Sequence, residues 1–447
     1  MQKGKLRRAI LACYGTDGDV YPFFGLGKAL RDRGYRVTLA TREDFARQAA
    51  NADLEFHSLV TLKETEELFG QPDCWHPIKG PLLMMRWGLP FIERQHAILA
   101  ELAAEKDALL IAHPGILAAR VLQEHTGVPM INVILQPWMI HSLHVPPAMM
   151  GGLTLPHWAP RPAGEIYFRV IDGVGDWLIG RELNRLRACF GLKPMRRVFR
   201  WWFSPHLVLG MFPRWFAEPQ SDWPPQIKLV GFPLDDGRAN ANVPQKTIEF
   251  CRAGPPPIAF TFGTGMLHAA EVFRECIEAC RLLRRRGVLV TKFQEQLPVE
   301  LPSFIHHCEF APFQDLFPLC AAVVHHGGIG TTAKALAAGV PQLILPFAFD
   351  QLDNGLRVKK LGTGDFLNAN QRNAKTIAAA LRKLIAPEAA ESARTLAESL
   401  KTRSGLECAA DEIETFAIAQ KSKKRRNAFC IAGSIRIPIQ CDDGESA

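Results

Sequence analysis

The sequence predicts an α/β protein built as two Rossmann-like domains. Three observations lead there. Apolar runs of strand length alternate with amphipathic helical stretches, the series occurs twice, and a proline-rich connection separates the two occurrences. In the first series, residues 9–14, 37–40, 109–112 and 130–134 read as parallel strands, with helical stretches at 23–33 and 116–126 between them. The second series begins after Pro255-Pro256-Pro257, with strands at 258–262, 288–290, 322–325 and 342–345 and helices at 331–338 and 351–361. From Ala374 the pattern is helical almost continuously to Gln420. These elements divide the chain into a first domain at 1–235, a linker at 236–257, a second domain at 258–420 and a basic tail at 421–447 that reads as disordered.

Composition restricts the function classes. With 447 residues, 47% hydrophobic and 22% charged, the chain can bury a real core. The formal charge of +8 gathers at the ends, on Lys3, Lys5, Arg7, Arg8 and the tail after Lys421, and leaves the body nearly neutral. A nucleic-acid groove is therefore not expected; basic ends suit solvation, or peripheral contact with an anionic membrane. Eleven cysteines without a CxxC pair indicate neither a disulfide framework nor a zinc site. The apolar run 9–14 is too short for an export signal, and no run reaches the ~18–20 residues that span a bilayer, so a cytoplasmic protein is expected.

The strongest local motif is Val324-His325-His326-Gly327-Gly328-Ile329-Gly330-Thr331-Thr332, where a strand ends and a helix begins. Exposed backbone N–H groups and the positive end of a helix dipole suit a diphosphate there. The motif lacks the GK[ST] of a Walker loop and the spacing of GxGxxG. Downstream, Asp350 and Gln351 follow the strand 342–345, placed either to hold sugar hydroxyls or, for Asp350, to cap the next helix. In the first domain, Gly15-Thr16-Asp17-Gly18-Asp19-Val20-Tyr21-Pro22 forms a glycine-punctuated turn ahead of a helix opened by Pro22. Asp17-Gly18-Asp19-Val20 also resembles the DxDx[TV] pattern of Mg²⁺-dependent phosphatases, a match of only four positions with Tyr21 at the fifth. Residues 135–162, rich in Trp, Met, Pro and His, are either an irregular loop or the wall of an apolar cleft.

The glycine turn and the Asp350-Gln351 pair, at this spacing, resemble the donor signature of family 1 glycosyltransferases of GT-B fold. The resemblance implies two facing domains, acceptor on the first and nucleotide-sugar on the second, with no metal or other cofactor. It assigns His326, Gly328, Gly330, Thr331 and Thr332 to the diphosphate, Asp350 and Gln351 to the sugar, and Phe310 to the base, with Gly18 and Thr264 also on the donor side. Asp19 stands at the position of the catalytic base, and His113, at the end of a strand, is placed to assist. An aspartate, with an ordinary pKa near ~3.9, needs an apolar cleft to act so. Segments such as Pro213-Arg214-Trp215-Phe216-Ala217 and Gly231-Phe232-Pro233-Leu234 resemble the rhamnosyltransferases of rhamnolipid synthesis, and the chain is also similar to sterol and antibiotic glucosyltransferases. Two departures stand out: Lys334 replaces a glutamate that grips the ribose in many members, and Phe313 replaces a glutamine. A 2′-hydroxyl thereby loses its partner, so the donor is UDP- or dTDP-linked.

The expected function is inverting, metal-independent transfer of a hexose or deoxyhexose to a hydroxyl of a hydrophobic acceptor held by residues 84–91, 138–150 and 200–204. The rivals are a catalytically silent relative that binds lipid or activates a partner, and the phosphatase.

Overall fold

The computed structural model describes residues 8–105, 107–149, 154–156, 158–235, 242–401 and 403–433. Its first sheet holds β1 Arg8–Ala12, β2 Arg36–Arg42, β3 Glu55–Val60, β4 Leu109–Ala112, β5 Met130–Ile134, β6 Leu207–Gly210 and β7 Ile227–Leu229. Their order is β3-β2-β1-β4-β5-β6-β7, parallel throughout. The second holds β8 Ile258–Thr261, β9 Gly287–Val290, β10 Ile305–Cys308, β11 Ala322–His325, β12 Gln342–Ile344 and β13 Gly364–Phe366, parallel in the order β10-β9-β8-β11-β12-β13. The central strands β1, β4, β5, β8 and β11 are buried along their whole length, as a sheet covered on both faces requires. The two-domain α/β expectation holds. Strands β3, β6, β7, β10 and β13 are absent from the sequence reading; β6 is interior and buried along its length, whereas the other four form the sheet edges and carry polar residues such as Glu55, Lys228, His306, His307 and Asp365.

The two domains are packed through a shared core. The helix Ile329–Ala337 inserts Ala333 and Leu336 among Ile134, Met139, Phe203, Phe212, Phe216 and Phe232 of the first domain. Polar contacts reinforce it: Asp353 accepts the Ala148 N–H at 2.9 Å, and Arg357 donates to the Phe216 carbonyl at 3.2 Å.

Three boundaries differ from expectation. Within the linker, residues 236–241 lie outside the described residues, and Gln245–Arg252 is a helix whose Cys251 packs into the second domain. The run after Ala374 is broken into Ala374–Leu384, Pro387–Glu398 and Gly405–Gly433, so helix continues through Lys421 instead of giving way to a disordered tail. Residues 434–447 of that tail lie outside the described residues. Moreover, the last helix leaves the second domain: Leu406, Ala409, Ala410, Ile413 and Ala417 are buried in the first domain's core. Glycines permit the crossing, since a Cβ on Gly405 would stand 2.5 Å from the Gly231 carbonyl oxygen. Among the described residues, no helix is long and apolar enough to cross a membrane.

Truncating the fully buried Ile413 therefore strips apolar surface from the first domain although it lies near the far end of the chain. Ile413→Ala is expected to cost about 2–4 kcal/mol, read as a lower urea midpoint. An unchanged midpoint would mean that this helix only rests on the surface.

Candidate active site

In both sheets the strand order reverses beside the first strand, between β1 and β4 and between β8 and β11. Connections leave such a point in opposite directions and open a crevice at the carboxyl ends of the strands. The two crevices face each other and form one cleft of about 1320 Å³, lined from both domains. That is more than the ~300–1000 Å³ of a single-ligand pocket, so two substrates can share it.

On the first-domain side, the helix Asp17–Asp32 begins in a capping box: the Thr16 backbone N–H and hydroxyl both donate to Asp19 Oδ2, at 2.8 and 2.9 Å. Pro22 consequently lies inside the helix instead of opening it. Gly15 has φ of +131°, and a Cβ there would stand 2.5 Å from Asp19 Oδ2, so glycine is required for the carboxylate to sit where it does. Arg42 holds the turn by donating to the Gly15 carbonyl at 2.6 Å and pairing with Asp17 at 3.2 Å. Burial raises the Asp19 pKa above 3.8, with the Thr16 hydrogen bonds and Arg42 opposing. Because Asp17 faces Arg42, the two aspartates do not form the matched pair that the phosphatase pattern needs. His113 follows β4 and lines the cleft, but its Nδ1 accepts the Gly115 N–H at 3.1 Å and burial lowers its pKa to about 4. It is a neutral side chain with no hydrogen bond to Asp19 among the described contacts.

On the second-domain side, Gly327 at φ +95° turns the chain from β11 into Ile329–Ala337, with Gly328 as N-cap. The fully buried His325 anchors the turn, accepting the Gly327 N–H at 3.1 Å and contacting Gln342 Oε1 at 2.9 Å. His326 packs against two glycines: a Cβ on Gly328 would stand 2.6 Å from its Nε2, and one on Gly263, at φ +88°, 3.0 Å from its Cε1. Burial, with a smaller push from His325, lowers the His326 pKa to about 3. With so low a pKa this imidazole is neutral, so it offers an N–H donor, while the helix terminus supplies the positive potential. Gly18, Thr264, Phe310, His326, Gly328, Gly330, Thr331, Asp350 and Gln351 all line the cleft. Thr332 does not. It is fully buried, and its hydroxyl donates back to the Gly328 carbonyl at 3.1 Å.

Asp350 occupies an N-cap position yet makes no capping hydrogen bond; its Oδ2 accepts from Asn354 Nδ2 at 2.7 Å. Burial and the nearby charge of Asp19 raise its pKa to about 7. The neighbouring Phe349 is held at φ +57° with Trp75 of the first domain edge-on at 6.1 Å, a strained backbone fixed by contact between domains. Gln351 Oε1 accepts the Phe347 and Ala348 N–H groups, so only its NH₂ can meet a ligand. Lys334 lines the cleft with its Nζ 6.0 Å from the Phe313 ring centre, so the two departures from the family pattern contact each other.

Away from these turns the wall is apolar. Met84, Met85, Leu89, Trp138, Met139, Met149 and Trp202 contribute, as expected, whereas Phe203 and Ser204 are buried away from it. Unforeseen are Val170, Ile171 and Val174, from a 29-residue helix, Arg161–Cys189. The sequence reading also missed Arg42 and Gly263, although Phe262-Gly263-Thr264 after β8 mirrors Tyr14-Gly15-Thr16 after β1 and could have flagged the second turn. Among the described residues, no group of three or more His, Cys, Asp or Glu side chains is placed to hold a metal ion.

Residues 9–145 match the glycosyltransferase family 28 N-terminal domain, and residues 287–414 match the C-terminal domain of erythromycin biosynthesis protein CIII-like proteins. The chain is 30% identical over 438 residues to O-mycaminosyltylonolide 6-deoxyallosyltransferase of Streptomyces fradiae, covering 92% of this chain and 97% of that one. The chain belongs to the family 1 glycosyltransferases of GT-B fold. This glycosyltransferase is also 29% identical over 439 residues to a sterol 3-beta-glucosyltransferase of Arabidopsis thaliana; that match covers 89% of this chain but 63% of the plant protein. In fold it resembles the calicheamicin glycosyltransferase CalG4, with a TM-score of 0.66 at 21% identity over 92% of this chain and 98% of that one. It likewise resembles the glycosyltransferase VinC in complex with dTDP, at 0.64 and 17% over 92% and 100%.

The raised Asp350 pKa ties the site to stability. Its neutral form is favoured in the fold, so the wild type should lose stability as pH rises from about 4 to about 7, then level off. Asp350→Asn can keep the Asn354 contact without the charge. Its gain over wild type should be absent near pH 4 and reach on the order of 2–4 kcal/mol by pH 8, measured by urea unfolding across pH. A gain independent of pH would contradict the assignment.

Proposed function

We propose that the protein transfers a hexose or deoxyhexose from a UDP- or dTDP-linked donor to a hydroxyl of a hydrophobic acceptor, with inversion and without a metal ion. One observation carries this reading: Asp19 of the first domain and the glycine turn with Asp350 of the second converge on a single cleft whose remaining wall is apolar. The donor diphosphate lies at the N-terminus of Ile329–Ala337, met by the Gly330 and Thr331 N–H groups and by His326, with Phe310 against the base and Asp350 and the Gln351 NH₂ on the sugar. The acceptor hydroxyl gives its proton to Asp19 Oδ1 as its oxygen attacks the anomeric carbon. The bond to the diphosphate breaks on the opposite face, and the negative charge passes to a leaving group already held by the helix amides and His326.

The names of the relatives support the acceptor and sugar classes, one being named for glucosylation of a sterol and another for transfer of a 6-deoxyallosyl group, a deoxyhexose. The solved structures that hold dTDP or thymidine diphosphate support the donor class. A cytoplasmic site of action with peripheral membrane contact belongs to the same proposal, supported by the basic ends of the chain.

Two residues separate binding from chemistry. In EDTA-treated enzyme that still transfers sugar, Asp19→Asn should lower kcat by about 10²–10⁴-fold while nucleotide affinity stays within about twofold. His326→Ala should instead weaken nucleotide binding about tenfold. Unchanged turnover in Asp19→Asn would remove the base, and complete loss of transfer in EDTA, restored by Mg²⁺, would remove the metal-free mechanism.

Lys334 decides the nucleotide. An ammonium cannot accept a hydrogen bond from a ribose hydroxyl, so UDP and dTDP should bind within about tenfold of each other. Lys334→Glu should shift the preference toward UDP. Calorimetric titration of both nucleotides into both proteins tests this, and a wild type that strongly prefers UDP would show that another residue reads the ribose.

A further inference from the structure

The helix Arg161–Cys189 buries one face on the first domain and leaves another bare. Ile166, Val170, Val174 and Trp177 are 60%, 59%, 42% and 78% exposed. At 100° per residue they fall, with Arg181, within an arc of about 80° on the helix, one continuous stripe. Such a row of large apolar side chains on a water-facing helix is a binding surface seeking an occupant.

Two features identify that occupant. The first is charge. Residues 161–200 hold nine basic and four acidic residues, so the nearly neutral body of the protein has a strongly basic region on this side. The acidic groups are engaged: Glu165 with Arg161 at 3.5 Å, Glu182 with Arg185 at 2.9 Å, Asp176 with the Arg197 and Val198 N–H groups, and the buried Asp172 beside Arg200 at 3.6 Å. Arg169, Arg181, Arg196 and Arg197 are exposed. The second is continuity. Val170 and Val174 belong to the stripe and also line the cleft, and the 41% exposed Ile78 does the same from the facing segment. The stripe therefore runs into the apolar wall of the cleft without a polar break at these positions.

An apolar stripe bearing a tryptophan and bordered by arginines suits the headgroup boundary of an anionic bilayer, where Trp favours the interface and Arg reaches phosphate. We infer that this face of Arg161–Cys189 docks on anionic lipid and sets the mouth of the acceptor cleft against the membrane. The docking itself stands on the surface alone; only its purpose, delivery of an acceptor dissolved in the bilayer, rests on the proposed function.

The test is flotation of the full-length protein with vesicles of phosphatidylcholine, with and without about 30% phosphatidylglycerol. Wild type should bind the anionic vesicles and release as salt rises. Ile166→Ser/Trp177→Ser, which changes no cleft residue, should bind at least about tenfold more weakly. Arg169→Glu/Arg181→Glu should lose the preference for anionic vesicles and offers a second route should the first variant fold poorly. Absence of binding by wild type overturns the inference. So does undiminished binding by both variants, which would assign the contact to the basic ends, or a dimer that the serine variant dissociates while vesicle binding persists, which would give the stripe to a second copy. Nucleotide calorimetry on the same samples separates the two readings, because loss of nucleotide binding in the wild type would refute the transfer mechanism and leave the docking result standing.

Discussion

Two carboxylates that repel each other, Asp19 and Asp350, are held close across a domain boundary, and the arrangement of the cleft depends on that constraint. Each is partly desolvated, and the charge of Asp19 adds to burial in raising the pKa of Asp350. Left to themselves the domains would relieve this by moving apart. What opposes separation is the core shared through Ala333 and Leu336, the Ala148–Asp353 and Arg357–Phe216 hydrogen bonds, and the final helix, which starts from the second domain and ends in the core of the first.

The two domains reach their chemistry by one local device used twice. A buried strand ends, a glycine adopts positive φ, and a threonine follows: Gly15-Thr16 after β1 and Gly263-Thr264 after β8. In the first domain the missing Cβ makes room for Asp19, and in the second, together with Gly328, for His326. The side chains so accommodated differ in kind. Asp19 uses one oxygen to cap its own helix, so the capping box and the base proposed above are the same carboxylate. Burial keeps His326 neutral, and the fixed dipole of Ile329–Ala337 carries the electrostatic part.

Beyond the cleft, Arg161–Cys189 links its apolar wall to the outside. Ile171 and Val174 line the cleft, and the exposed stripe that includes Val174 continues to Trp177 in solvent. Four glycines within it, at 164, 173, 175 and 180, weaken any helical signal in the sequence, and charged residues lie on several sides of it. Its period is therefore hard to read until the core is seen to choose one face.

The sequence by itself determined the parallel α/β class, most of the central strands, the glycine turns at Gly15 and at Gly327–Gly330, and that Asp19, His326, Asp350 and Gln351 stand where strands give way to helices, because those features are local. An apolar run bounded by turn residues, or a glycine that frees a helix terminus, has the same physical meaning in any surroundings. The edge strands were not legible, since Glu55, Lys228 and Asp365 interrupt their apolar pattern and only pairing with a neighbour makes them strands. Tertiary structure alone decided that Thr332 turns inward, that Asp350 caps nothing, that His113 is neutral and apart from Asp19, that the last helix returns to the first domain, and that the basic charge of 161–200 borders an apolar stripe. Each of these depends on desolvation or on contact between residues far apart in the chain, and neither exists until the chain has folded.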